Sequence, residues 1–344
     1  MKTSRLLCLI GVLLSCASAQ SSSRVSVWEP DFPIAGVVSS GRQDLVVYNF
    51  RDLDYYCYVA LGTPDQRLRV ALDSNMSDTW VRKDPEAGHF FYNHSKSTTY
   101  QAVGTAVDFD GLGGYLSRDR VGFGDSIALA QHSFVEVTST PFRNFWKDLH
   151  HDGFLGLGWA PSKTTSTAAL IPSLIQRGLL NEPVVGLSLR KQGNGLLSLG
   201  GIDSQSFVGE MHYTETITST GAWAIPLDGV LMNGKPLVDS KDSKPIAWIS
   251  SSSYSIKGPM RAIRAIFNAL DRTHLPNITI VLDGEHFTIT HEAYMSSVFF
   301  GFQPNGDSSD SSWTLGQVFL REFYTVFDYG SSTQPPRVGF AHIA

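Results

Sequence analysis

Few residues in this chain have both the type and the setting to do chemistry. Asp73 ends the apolar run Val70-Ala71-Leu72 and opens a small-polar loop, Ser74-Asn75-Met76-Ser77, so it offers one carboxylate for general acid or base work among hydroxyls. A second run, Ala247-Trp248-Ile249, leads into Ser250-Ser251-Ser252-Ser253, which offers hydroxyls and no carboxylate. That serine run contains no G-x-S-x-G elbow, so nothing in it signals a Ser-His-Asp hydrolase. His150-His151-Asp152 invites a metal or relay reading. Adjacent histidines on a strand point apart, however, and His89 and His94 lack a third partner at ligand spacing, so no metal site is expected. No glycine-rich phosphate loop precedes a helix, and no cofactor is expected.

The elements that must hold these residues are short strands. From about residue 46 onward, alternating or apolar runs such as 68–72, 120–123, 184–189, 196–199, 278–282 and 323–327 are separated by Gly, Asp-Gly and Pro. This predicts an all-β protein. Helices are expected to be few and short, the best over 259–270, where Ile263, Ile266, Phe267 and Leu270 share one face, and a second over 172–177, stopped at Gly178. The two strand-into-loop segments are each followed much later by an apolar run holding Leu-Gly, at 153–158 and 314–320, which implies two similar halves.

Composition narrows the classes further. With 344 residues, 42% hydrophobic and 17% charged, the chain is long and apolar enough for one large or two ordinary domains, which excludes a disordered or coiled-coil chain. A formal charge of −5 gives no basic field for nucleic acid. Residues 1–19 read as a secretory signal, with Lys2 and Arg5 before an apolar run that ends at Ala17-Ser18-Ala19, and 20–45 as a short leader. No apolar run approaches the length of a membrane span, so a soluble protein, secreted or held in the secretory lumen, is expected. Cys8 and Cys16 leave with the signal, and Cys57, in an apolar run, reads as a buried, inert thiol. Asn93 and Asn277 stand in N-x-S/T triplets and are expected glycosylation sites.

Seven fragments, in order, resemble the pepsin-like aspartic proteases. Tyr56 to Gln66 resembles the strand and turn before the first catalytic loop, and Asp73 to Val81 the loop D-T-G-S-S-x-L-W-V. Phe91 to Tyr100 resembles F-x-P-S-x-S-S-T-Y, Asp152 to Gly158 resembles D-G-I-L-G-L-G, and Gly200 to Asp203 resembles G-G-x-D. Leu315 to Asp328 resembles L-G-D-x-F-L-R-x-Y-Y-x-V-F-D with Gln317 for its first Asp, and Arg337 to Ala341 resembles R-V-G-F-A. The resemblance implies a bilobal fold, an N-terminal lobe over 46–206 with a hairpin flap, a C-terminal lobe over 207–344, and a cleft between them.

It also implies which residues matter. The family's chemistry needs two close carboxylates sharing one proton, one ionised and one protonated. Asp73 matches the first, but Ser250 stands at the second, and a hydroxyl cannot hold that proton. Asn75 and Ser252 replace the glycines that follow, and a glycan on Asn75, also in a triplet, would have to sit inside the cleft. Ser74, Ser77 and Ser251 match the family, and Ser253 lies in the same loop. In the flap, Asp110-Gly111-Leu112-Gly113 matches Y-G-x-G, so Asp110 stands in for the tyrosine, with Phe109 beside it. The expectation is a monomeric, non-proteolytic homologue that binds a peptide or an apolar small molecule in the cleft. Two alternatives stay open. One is a repurposed enzyme that cyclises or isomerises a small metabolite with Asp73 as its acid or base. The other is an acid endopeptidase with a non-standard second carboxylate, Asp110 or Asp108.

Overall fold

The computed structural model describes residues 41–344 except 125, 148, 238–244, 271–274, 296–299 and 308. The expected signal and nearly all of the expected leader lie outside the described residues. The chain forms two compact units, one holding residues up to Glu182 together with Gln192–Gly201, the other holding Pro183–Lys191 and Ile202–Ala344. The division is therefore not a single cut, because the strand Val184–Ser188 belongs with the second unit.

Both units are built of strands, as expected. In the first, β1 (Gln43–Phe50), β2 (Asp54–Leu61) and β3 (Gln66–Asp73) form an antiparallel meander. The short β4 (Trp80–Arg82) follows, then the hairpin β5 (Gln101–Phe109) and β6 (Leu112–Phe123), then β7 (Ile127–Ser139) and β8 (Gly153–Gly156). β9 is Val184–Ser188, and β10 (Gly195–Leu199) pairs with β1.

In the second unit, β11 (Phe207–Glu215), β21 (Phe323–Asp328) and β22 (Arg337–Ile343) form a sheet with β9. A smaller sheet holds β12 (Ala224–Pro226), β15 (Ile246–Ile249), β16 (Ile256–Gly258), β19 (Phe302–Pro304) and β20 (Trp313–Leu315). A third holds β13 (Gly229–Met232), β14 (Lys235–Pro236), β17 (Ile278–Leu282) and β18 (Glu285–Ile289).

The helices differ in detail from the sequence reading. The first, α1, runs Leu170–Gln176, starting two residues before Pro172, and gives way to Gly178 at φ +65. The second, α2, runs Met260–Asn268 and buries Ala262, Ile263 and Ile266, but Phe267 is 63% exposed. The spacing of Phe267 from Ile263 places it at the rim of the apolar stripe, with the ring of Phe300 6.0 Å away. Cys57 is buried on β2, and burial pushes its thiol up to about 12, so it carries no thiolate at neutral pH.

The internal duplication is present in the strand pairing. β3 runs parallel to β8, with Asp73 opposite Gly156, while β4 runs antiparallel to β8. Likewise β15 runs parallel to β20, with Ile249 opposite Leu315, while β16 runs antiparallel to β20. Each unit thus flanks one central strand with the two strands that a small-polar loop connects.

Candidate functional site

The Asp73 loop leaves β3 and is closed from behind by the chain leaving β8. Leu157 donates its backbone N–H to the Asp73 carbonyl at 2.9 Å, and Gly158 donates to Met76 at 2.8 Å. In the second unit the Ser250 N–H donates to Leu315 at 3.0 Å and the Gln317 N–H to Ser253 at 2.7 Å. The Leu-Gly pairs noted in the sequence have their reason here. A Cβ on Gly156 would sit 2.6 Å from the Asp78 carbonyl oxygen, and one on Gly316 would collide with the carbonyls of Ser253 and Ser255. Asp78 and Ser255 each lie five residues past Asp73 and Ser250, so the two loops press on their central strands at matching positions. These glycines serve close backbone approach rather than unusual dihedral angles.

Asp73 is 2% exposed, and its Oδ1 accepts the Asn75 N–H at 2.8 Å. Ser74 is buried beside it, while Asn75, Met76 and Ser77 are half-buried. Ser250 is equally buried, at 2%, and its Oγ accepts the Ser253 N–H at 3.1 Å. Ser251 and Ser253 are buried and Ser252 half-buried. The structure therefore brings Ser74, Asn75 and Ser77 into one loop with Asp73, and Ser251, Ser252 and Ser253 into another with Ser250.

Phe109 and Asp110 lie at the tip of the β5–β6 hairpin. The turn is Asp110-Gly111, with φ +51 and +84, the two consecutive left-handed residues that a type I′ hairpin turn requires. Asp108 is exposed, and its Oδ1 accepts the Gly111 N–H at 3.2 Å, which closes the turn. Phe109 packs with Val107, Met76 and Phe142 against a buried cluster that includes Trp80, Leu112 and Phe154.

Two buried contacts add to the sequence reading. Asp78 is 7% exposed and accepts hydrogen bonds from Ser162 and from Thr165 at 2.5 Å. Burial raises its carboxyl above the usual range even against those hydroxyls. The hydroxyls come from the stretch 162–167, whose Ser and Thr content was the only signal available. Gln317 is 4% exposed, and its Nε2 donates to the Ser251 carbonyl at 2.9 Å, a bond the family's aspartate could make only when protonated.

The histidines also behave differently from expectation. His150 and His151 lie in a bend rather than on a strand, and both approach one carboxylate, Asp54, at 4.0 and 3.9 Å. His89 and His94 each pair with a buried carboxylate, Asp152 at 3.0 Å and Glu136 at 2.9 Å. Among the described residues no three His, Cys, Asp or Glu side chains come together to hold a metal ion. No helix among them is long and apolar enough to cross a membrane.

Comparison with known proteins agrees with this geometry. The chain is 28% identical over 329 residues to cathepsin E of Aquarana catesbeiana, covering 86% of this chain and 81% of that protein. It is 29% identical over 349 residues to renin of Canis lupus familiaris, covering 88% and 83%. To pepsin A of Rhinolophus ferrumequinum it is 27% identical over 328 residues, covering 86% and 83%. The model of the eukaryotic aspartyl protease family matches residues 54–343, both strand-flanked loops included, and the chain belongs to that family.

Proposed function

We propose that this chain is a secreted member of the family that has lost proteolysis and binds a peptide or an apolar small molecule in the cleft the family fold implies. The observation that carries the reading is the side chain at the end of β15. Ser250 occupies the position matching the second carboxylate, and its Oγ accepts a backbone N–H within its own loop. A hydroxyl with a pKa far above the working range cannot share a proton with Asp73, so the division into one acid and one base is lost. The substitutions Asn75, Ser252 and Asp110 support the same reading, since each departs from a motif that the family resemblance ties to this chemistry. The hairpin carboxylates make poor replacements: Asp108 is engaged in closing its own turn, and Asp110 is fixed at its left-handed corner.

A second reading is supported by the Asn75 N–H bond to Asp73. A buried carboxylate oriented by a backbone donor is placed to act as a single acid or base, and a repurposed enzyme acting on a small metabolite would use it. A digest of a peptide library from acid to neutral pH, run with wild type and Asp73→Asn side by side, tests the proposal. No cleavage by either protein is the expected outcome. Cleavage by wild type alone overturns it, and turnover of a small molecule that Asp73→Asn abolishes selects the second reading.

The proposed passage through the secretory pathway carries a modification pattern. Asn277 is exposed and Asn93 half-buried at the head of a short helical turn, whereas Asn75 lies half-buried in the Asp73 loop. Glycans are expected on Asn277 and Asn93 and none on Asn75, and peptide mapping before and after enzymatic deglycosylation reads each site separately. A glycan found on Asn75 would contradict ligand binding beside that loop.

A further inference from the structure

The sheet that leads into Ser250 holds one charge without a partner among the described residues. Lys257, in the middle of β16, is the only ionisable side chain in the five strands β12, β15, β16, β19 and β20. It is 8% exposed, and among the described residues its ammonium makes no hydrogen bond, ion pair or ring contact. Burying a charge is costly unless a partner replaces the water it loses, which is why buried ions are found paired.

The register shows which way this side chain points. Lys257 lies beside Thr314 of β20 and Gln303 of β19, and Thr314 lies beside Trp248 of β15, two residues before Ser250. Cross-strand neighbours share a face of a sheet, and so do residues two apart along one strand. Lys257, Thr314, Gln303 and Trp248 therefore line one side, with Ser250 at its end. The opposite side is core: Ala247, Ile249, Ile256, Phe302, Trp313 and Leu315 are all buried. On the Lys257 side, Trp248, Thr314 and Gln303 are only half-buried, so this is the side that a ligand reaches.

We propose that Lys257 is the anion anchor of a ligand site on this face, and that the ligand carries a carboxylate on an apolar body. The carboxylate accepts hydrogen bonds from the ammonium, a charge-assisted contact of the strong kind. The Trp248 ring packs against the apolar part, while the Thr314 hydroxyl and the Gln303 amide offer neutral donors to the remaining lone pairs. A cationic ligand is disfavoured because it meets a like charge, and a hydrocarbon because it leaves the ammonium buried and unpaired. The inference rests on the reading of this chain as a binder and adds the charge of what it binds. A peptide C-terminus and a small organic acid both present this chemistry, and the test separates them.

The full chain is titrated at pH 7 with 4-phenylbutyrate and 4-phenylbutanamide, which match in shape and differ in charge, and with acetyl-leucyl-phenylalanine and its C-terminal amide. Calorimetry reads affinity, and the indole N–H resonance of Trp248 reads location. At least one acid is expected to move that resonance and to bind about tenfold or more tightly than its amide, the factor a charged hydrogen bond supplies. Tighter binding of the small acid assigns the carboxylate to an organic acid, and tighter binding of the dipeptide assigns it to a peptide end. Lys257→Met is expected to bring each acid to within about twofold of its amide, and Lys257→Arg to keep the preference. Where Lys257→Met fails to fold, Lys257→Gln carries the same comparison. Acids and amides that bind the wild type equally, no response to any of the four probes, or an acid preference that survives the loss of the lysine overturns the proposal. Peptide cleavage in the digest described above would defeat the non-proteolytic reading while leaving the acid preference and its dependence on Lys257 intact, so the two failures are distinguishable.

Discussion

Replacing Asp152 by alanine is expected to destabilise the first unit by about 3–5 kcal/mol, the cost of breaking a charge pair whose carboxylate is fully buried. Asp152 is 0% exposed and takes five donors. Arg69 contributes its backbone N–H, Nε and Nη2 at 3.0, 2.9 and 2.8 Å, and His89 Nδ1 and the Phe90 N–H each approach to 3.0 Å. Burial alone would raise this carboxyl, but the His89 and Arg69 hydrogen bonds outweigh it and hold the group below the usual carboxylate range. The site ties β3 to the residues just before β8, so the central strand opposite Asp73 loses its anchor when the carboxylate goes. Urea unfolding of wild type, Asp152→Ala, Arg69→Met and the double variant measures the coupling. The double variant is expected to be more stable than Asp152→Ala, since it no longer holds a half-buried guanidinium that has lost its carboxylate and kept only the Gly88 carbonyl as acceptor. A loss below about 1 kcal/mol for Asp152→Ala, which is the range of an exposed pair, would show that the network is not structural.

The same residues show what was legible beforehand. The strands and both loops follow from local pattern: an apolar run, a small-polar loop, and a glycine where backbone must approach backbone, as at Gly156 and Gly316. The hairpin turn was equally local, because Asp110-Gly111 is the residue pair that a two-residue I′ turn selects. The ion pairs were not legible. His89 and Asp152 are 63 residues apart, and His94 and Glu136 are 42 apart, so their pairing is set by how strands stack rather than by any spacing along the chain. Phe267 was misplaced for a related reason: periodicity gives a stripe but not its width, and a residue at the rim can face either way.

Lowering the pH from 7 to 4.5 is expected to destabilise the protein, the reverse of what an enzyme adapted to acid requires. His132, 8% exposed on β7, has its imidazole pushed down to about 4, first by burial and then by Arg118 and Arg177. His150, stacked on Phe50, is also lowered to about 4, mainly by burial with Asp54 opposing, and fully buried His151 is lowered for the same first reason. An unfolded histidine takes its proton near pH 6.5. Between about 6.5 and 4 the unfolded chain therefore binds more protons than the folded one. Stability is complete above that window and falls as pH drops through it. His132 alone accounts for about 2–3 kcal/mol by pH 4.5, and half-exposed His150 for less because solvent screens it. The lowered carboxyls of Asp152 and Asp119 add a further loss only at still lower pH, whereas the raised carboxyls of Asp78 and Glu322 oppose the trend by favouring their protonated forms. Thermal unfolding at pH 7.0, 5.5 and 4.5 is expected to show a fall of several degrees, and His132→Gln to flatten part of it. A melting temperature that rises toward pH 4.5 would contradict the histidine account. It would also weaken the reading of a chain that left acid proteolysis behind, since a shared-proton carboxylate pair works in the range where these histidines charge.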